Sequence, residues 1–171
     1  MSKSRSALAL LGFATAAAGA AWVGSRYSPR DLRTRIWYRR LSKSPLNPPD
    51  AVFPIVWSAL YSMMSISAWR VSQTKPSPER TRALCLWAAQ LAANAEWTRL
   101  FFGKHRPKRA LIDIFLLEAL ILLYIDSAKE IDGPAAALFT PYAAWVAFAA
   151  LLNAEIVRRN PDGARKFPRA A

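Results

Sequence analysis

Leu41-Ser42-Lys43-Ser44-Pro45-Leu46-Asn47-Pro48-Pro49-Asp50-Ala51-Val52-Phe53-Pro54-Ile55-Val56-Trp57-Ser58-Ala59-Leu60-Tyr61 is the stretch on which the reading of this chain turns. Its first half is polar and stiffened by Pro45, Pro48 and Pro49, whose rings fix φ and remove backbone donors. From Val52 onward it is apolar, and Trp57 and Tyr61 stand one helical turn apart on a common face. A second stretch, Pro141-Tyr142-Ala143-Ala144-Trp145-Val146-Ala147-Phe148-Ala149-Ala150-Leu151-Leu152-Asn153, repeats the pattern of a proline-marked entry into an apolar helix. Pro141, Trp145, Ala149 and Asn153 recur at every fourth residue, with Phe148 beside that face. Two such helices read as walls of an internal pocket in a small membrane bundle.

Working outward, five apolar segments approach the roughly 20 residues that a bilayer core requires. They run over about 7–23, 52–71, 83–102, 110–127 and 135–157. No useful β-period alternation is present. The expected fold is all-α, an integral membrane bundle of five transmembrane helices. Residues 1–6 form an N-terminal tail, 24–51 a lid-like link, and 158–171 a basic tail. The link is too long and too rich in aromatics for a plain connector, with Trp37, Tyr38, Leu41 and Leu46 among many Arg. It is expected to lie on the interface or cap a site.

Composition agrees with this. Over 171 residues, 53% are hydrophobic, yet the net charge is +13. Both are accommodated if the charges sit in short links between apolar spans. The Lys and Arg flank the apolar runs and make no single basic face, which excludes a nucleic-acid partner. Cys85 is the one cysteine, so no internal disulfide exists. Sixteen Lys and Arg fall at the links after segments one and three and in the tail, against six at the opposite ends. That bias places the N-terminus outside and the C-terminus in the cytoplasm.

The first segment carries an alternative. A basic start, an apolar run over 7–17 and Ala18-Gly19-Ala20 also fit a cleaved signal peptide. Against that reading, Gly12, Ala16, Ala20 and Gly24 make a small-residue stripe suited to close helix packing.

Polar groups within spans are costly and face the interior. Gln90, Asn94 and Trp97 share one face of the third segment and read either as pocket lining or as interhelical hydrogen bonding. Glu96 with Arg99, and Glu155 with Arg159, read as structural pairs. Asp113 lies near a helix start, where the dipole favours it. Glu118, nearer mid-span, has no evident role. Trp22, Trp69 and Trp87 are assigned to an interfacial aromatic belt. His105 sits in a Lys/Arg-rich link and reads as a solvated loop residue. No metal-ligand cluster, phosphate loop or nucleophile elbow is legible.

Trp37-Tyr38, Leu41, Lys43, Pro45, Pro48-Pro49, Phe53, Val56-Trp57, Leu60-Tyr61, Gln90-Leu91, Asn94, Trp97, Phe101-Phe102, Ala110, Asp113, Pro141-Tyr142, Trp145, Phe148-Ala149, Leu152-Asn153 and Asn160-Pro161 together carry a resemblance. The chain resembles the tryptophan-rich sensory protein or translocator protein (TspO/MBR) family from about Trp37 to Asn160. The resemblance implies a five-helix membrane bundle, often a homodimer, in a bacterial or organelle membrane. It implies no obligatory cofactor, and a porphyrin such as protoporphyrin IX as ligand. The ligand-binding residues it implies are Trp37, Pro48, Trp57, Tyr61, Asn94, Trp97, Trp145, Phe148 and Ala149, under a lid formed by the link before Val52. Ser44, Leu46, Ala51, Glu118, Arg99 and Ala154 depart from the family pattern. Leu152, Ala154 and Arg158 make an incomplete sterol-recognition motif, so specific sterol binding is not expected. Three functions follow from the resemblance and the pattern: a tetrapyrrole binding, sensing or transport protein; an enzyme for light- and oxygen-dependent porphyrin breakdown through Trp57 and Trp145; or a structural membrane partner with no small ligand.

Overall fold

The computed structural model describes residues 3–29 and 31–161; the end of the expected basic tail, 162–171, lies outside the described residues. The chain forms α1 (Lys3–Ser25), α2 (Leu32–Arg40), α3 (Val52–Gln73), α4 (Pro78–Thr98), a π-helical turn (Arg99–Gly103), α5 (Pro107–Lys129) and α6 (Gly133–Arg159). Among the described residues there is no strand. Three helices, at Ser4–Ser25, Val52–Gln73 and Gly133–Arg159, are both long and apolar enough to cross a membrane. α4 and α5 match them in length, with 21 and 23 residues, but carry more charge.

Local chemistry sets the boundaries. Ser77 and Pro78 start α4, the Ser77 Oγ accepting from the Arg80 N–H. Asp132 caps α6 through the Ala135 N–H at 2.8 Å, and Arg70 of α3 grips the same carboxylate at 3.0 and 3.1 Å. α6 therefore starts at Gly133, and Pro141 is no entry signal but lies inside the helix. Proline there frees the Ala137 carbonyl, which accepts instead from the Thr140 hydroxyl at 2.9 Å. The link 24–51 contains α2, capped by Asp31 on the Thr34 N–H at 2.8 Å.

The long helices form a ring. α1 packs on α3 and α4, α3 on α6, α6 on α5, and α5 on α4. Tyr124, Phe139, Tyr142, Met64 and Ile121 are fully buried at its centre. Trp87 is one of these core residues, 5% exposed, with its indole N–H donating to the Met64 carbonyl at 3.0 Å. It is not part of an aromatic belt; Trp22, at 60% exposure, is free to be. The small-residue stripe of α1 is also offset from its expected register. Gly12 and Ala16 are exposed, whereas Phe13, Ala17, Ala20 and Gly24 face the bundle. Phe13 meets Trp87 edge-on, and that large contact sets the rotation of α1.

A second, smaller cluster closes one end of the bundle. Trp37, Leu41, Phe101, Ala110 and Ile156 are its buried members. α2, the π-helical turn, the start of α5 and the end of α6 meet there. Trp97 packs against both this cluster and the main core.

Candidate aromatic site between α3 and α6

The polar groups on the inner face of α4 are tied to two other helices, α3 and α6. Tyr61 of α3 donates its hydroxyl to Asn94 Oδ1 at 3.2 Å, and Asn94 Nδ2 donates to the Tyr142 hydroxyl of α6 at 2.8 Å. One turn on, Trp97 Nε1 donates to Asn153 Oδ1 at 3.2 Å, while Asn153 Nδ2 donates to the Pro107 carbonyl at 3.0 Å. The Gln90–Asn94–Trp97 stripe is thus a hydrogen-bonding seam among helices. Gln90 is wholly buried, and its Oε1 has no partner. Asp113 and Glu118 each keep one buried carboxylate oxygen without a partner.

Aromatic rings continue outward from this seam. Trp57 lies 5.5 Å from Tyr61 and 6.1 Å from Tyr142, centroid to centroid. Trp145 sits edge-on to Phe53 at 5.8 Å and near Phe148 at 5.9 Å. Beside these rings a groove of about 540 Å³ opens sideways between α3 and α6. Ile55, Ala59 and Met63 line it from α3, and Pro141, Ala144, Trp145 and Phe148 from α6. Ala59 and Ala144 give clearance, while Trp145 and Phe148 offer flat faces. Ile55, at 73% exposure, marks its outer edge.

The nine residues implied by the resemblance divide into groups. Tyr61 and Asn94 form the seam, with Trp57 tilted against Tyr61 and edge-on to Tyr142, and Trp97 one turn further on. Trp145 and Phe148 form the groove wall, and Ala149 is half-buried against the main core. Trp57 is not among the groove-lining residues, and no ring contact joins it to Trp145 among the described residues. Trp37 and Pro48 lie apart. Trp37 is 1% exposed inside the lid seam, and the Pro48 carbonyl accepts from Asn47 Nδ2 at 3.0 Å. Tyr142, Phe53, Met63 and Ile55 complete the arrangement and were not singled out as site residues. Tyr142 was the most legible of them, since a phenol within an apolar span needs a partner.

The α2 end of the bundle is strongly basic but locally ordered. Asn160 Oδ1 accepts from the Ser42 N–H at 3.1 Å, and its Nδ2 donates to the Ser42 carbonyl at 3.0 Å. Lys43 Nζ sits 3.9 Å over the Tyr38 ring. Burial holds the Lys43 ammonium below its ordinary pKa, against the pull of Asp50, and raises the Tyr38 phenol. His105 is not the solvated residue its sequence context suggests. Its ring stacks on Trp37 at 4.3 Å and 19°, and its Nε2 lies 3.3 Å from Thr34 Oγ1. Burial holds its pKa below 6.5, with nearby Asp31 opposing and Arg33 reinforcing the shift.

The sequence matches the TspO/MBR family over residues 12–159. It is 39% identical over 129 residues to the Tryptophan-rich sensory protein of Cereibacter sphaeroides, covering 75% of this chain and 80% of that one. It is 38% identical over 149 residues to Protein CrtK of Rhodobacter capsulatus, covering 86% and 89%. With the Translocator protein of Homo sapiens it shares 32% identity over 163 residues, covering 92% and 95%. The apolar helices, the aromatic face shared by α3 and α6 and this match across nearly the whole bundle agree: the chain is a membrane protein of the TspO/MBR family.

Proposed function

We propose that this protein binds a flat, largely apolar tetrapyrrole of the protoporphyrin class from within the bilayer, against the aromatic face of α3 and α6, in order to sense or move it. Five helices span the membrane in this reading, and α2 lies at one surface as a lid. α4 and α5, with 21 and 23 residues, rise about 31 and 34 Å. Either length crosses a hydrocarbon core of about 30 Å. Their charges cluster near the helix ends, apart from Asp113 and Glu118. The basic excess at the lid end places that end, and the C-terminus, on the cytoplasmic side.

The observation that carries the reading is the groove itself. Its volume, about 540 Å³, falls within the range of sites for drug-sized ligands. It has clearance from alanines and stacking faces from Trp145 and Phe148, in an almost wholly apolar lining. Membership of a family whose relatives bear the names Tryptophan-rich sensory protein and Translocator protein suits such a role. Titration of the detergent-solubilised protein with protoporphyrin IX tests it. Saturable quenching of tryptophan emission that excess oleate does not reverse is the expected result. Linear, non-saturating quenching, or full reversal by oleate, removes the reading.

A further inference from the structure

The lid carries a chemical feature that the binding site does not use. α2 is a short helix whose contacts with the bundle run through few side chains. Trp37 and Leu41 bury against Phe101, Ala110 and Ile156, and Tyr38 meets Phe102 edge-on at 5.4 Å. His105 lies between this helix and the start of α5. It has a φ of 51°, in the left-handed region that residues other than Gly enter uncommonly, Asn, Asp and His more often than the rest. That conformation turns the imidazole plane onto the Trp37 indole and brings Nε2 to Thr34 Oγ1. A left-handed residue that carries one specific ring stack, at the joint between α2 and the bundle, is the kind of place where a switch resides.

We propose that the stack of His105 on Trp37 is a proton-sensitive latch, which holds α2 over the Trp97 end of the bundle at neutral pH and releases it in acid. Burial of the ring decides the direction, with Asp31 opposing it and Arg33 reinforcing it. From α2, Asp31 and Arg33 face it. Asp31 is already engaged, its carboxylate accepting from the Thr34 N–H. From the same link and the first turn of α5 come Lys104, Arg106, Lys108 and Arg109, all exposed and all positive. At the end of α6, Glu155 is committed to Arg158 and Arg159. An imidazolium formed here is partly desolvated, and the one nearby carboxylate, Asp31, is already engaged by the Thr34 N–H. Cation–π attraction to the indole offsets this by about 0.5–2 kcal/mol. Burial, the largest influence on the ring, holds its pKa down against the pull of Asp31. The lid packs over Trp97 whatever the ligand is, so the latch and the tetrapyrrole reading stand or fall separately.

The test needs no ligand. In a Cys85→Ser background, nitroxide labels at Arg35 on α2 and Lys108 on α5, both exposed, report the lid-to-bundle distance by pulsed electron spin resonance. The full-length protein in lipid nanodiscs is measured at pH 8 and pH 5. A single narrow distance is expected at pH 8, with a longer, broader component growing several-fold at pH 5. His105→Asn, which tolerates left-handed backbone and does not titrate, is expected to give the same distribution at both pH values. His105→Lys is expected to show the displaced component already at pH 8. Circular dichroism confirms that helix content is kept. The latch is overturned if the wild-type distance is unchanged or narrows in acid, or if His105→Asn shifts with pH as the wild type does.

Discussion

The indole N–H of Trp97 donates to Asn153 Oδ1 at 3.2 Å, and this bond ties α4 to α6 at the level where α5 begins. Asn153 is 2% exposed and spends its other amide group on the Pro107 carbonyl at 3.0 Å. Asn153→Leu therefore leaves the Trp97 indole N–H without its acceptor, while the Pro107 carbonyl keeps only its bond within α5. A buried orphan costs about 1–3 kcal/mol. The variant is expected to unfold in sodium dodecyl sulfate titrations at a clearly lower detergent fraction than wild type. Trp97→Phe, which removes one partner and keeps the stack on Phe101, is expected to lose less.

Asn94 links two phenols, so its removal should cost more than the loss of either. Tyr61→Phe and Tyr142→Phe each delete one hydroxyl, whereas Asn94→Ala strands both. A double-mutant cycle between Asn94→Ala and Tyr142→Phe is expected to show a coupling of about 0.5–3 kcal/mol in the same unfolding assay. Simple additivity would mean that the 2.8 Å bond contributes nothing.

Gly103 ends the π-helical turn, and a Cβ there would come within 2.7 Å of Tyr27 Cδ1. The Tyr27 ring must move to admit it, and Tyr27 follows α1 into the lid link. Gly103→Ala is expected to destabilise by about 1–3 kcal/mol, as overpacking does. Tyr27→Ala added to it should recover most of that loss. An equal loss in the double variant would place the cost in the backbone.

His105 gives stability a pH dependence of definite sign. Its folded-state pKa lies below the ordinary 6.5, so the unfolded chain takes up the proton more readily. The contribution is complete above about pH 6.5 and is lost as the pH falls through the lower, folded value. Melting temperature compared between wild type and His105→Asn should therefore converge in acid and separate, with wild type higher, above neutrality.

How much of this was legible in the sequence differs by level. The long helices follow from hydropathy and from end signals such as Ser77, Asp132 and Pro107. Their ends were drawn short because charged first and last turns, such as Lys108-Arg109, read as links. α2 was missed as a helix because nine residues with four Arg carry almost no apolar period; Asp31, three residues before Thr34, was the available sign. Trp87 and His105 were misread for one shared reason. Both were judged by sequence neighbours, whereas their surroundings come from Met64 and Phe13 in one case and Trp37 in the other. The polar stripe of α4 was visible as a stripe. That it spends its hydrogen bonds on other helices depends on the rotation of α3 and α6, which no local pattern contains.

The groove between α3 and α6 can be closed by substitution without disturbing the seam behind it. Ala59 and Ala144 are exposed small residues on its two walls, and neither makes a side-chain hydrogen bond. Ala59→Phe or Ala144→Phe fills the space from the outside, where the bilayer accepts the added ring. Such variants should keep wild-type unfolding behaviour while losing saturable protoporphyrin quenching by tenfold or more, about 1.4 kcal/mol or above. Trp145→Ala is expected to weaken binding by about as much, through loss of its stacking face. Leu123→Ala, on an exposed face of α5 away from the groove, should leave binding unchanged. If the phenylalanine variants bind as wild type does and Asn94→Ala alone abolishes binding, the ligand sits inside the ring of helices and the outer groove is only a contact with lipid.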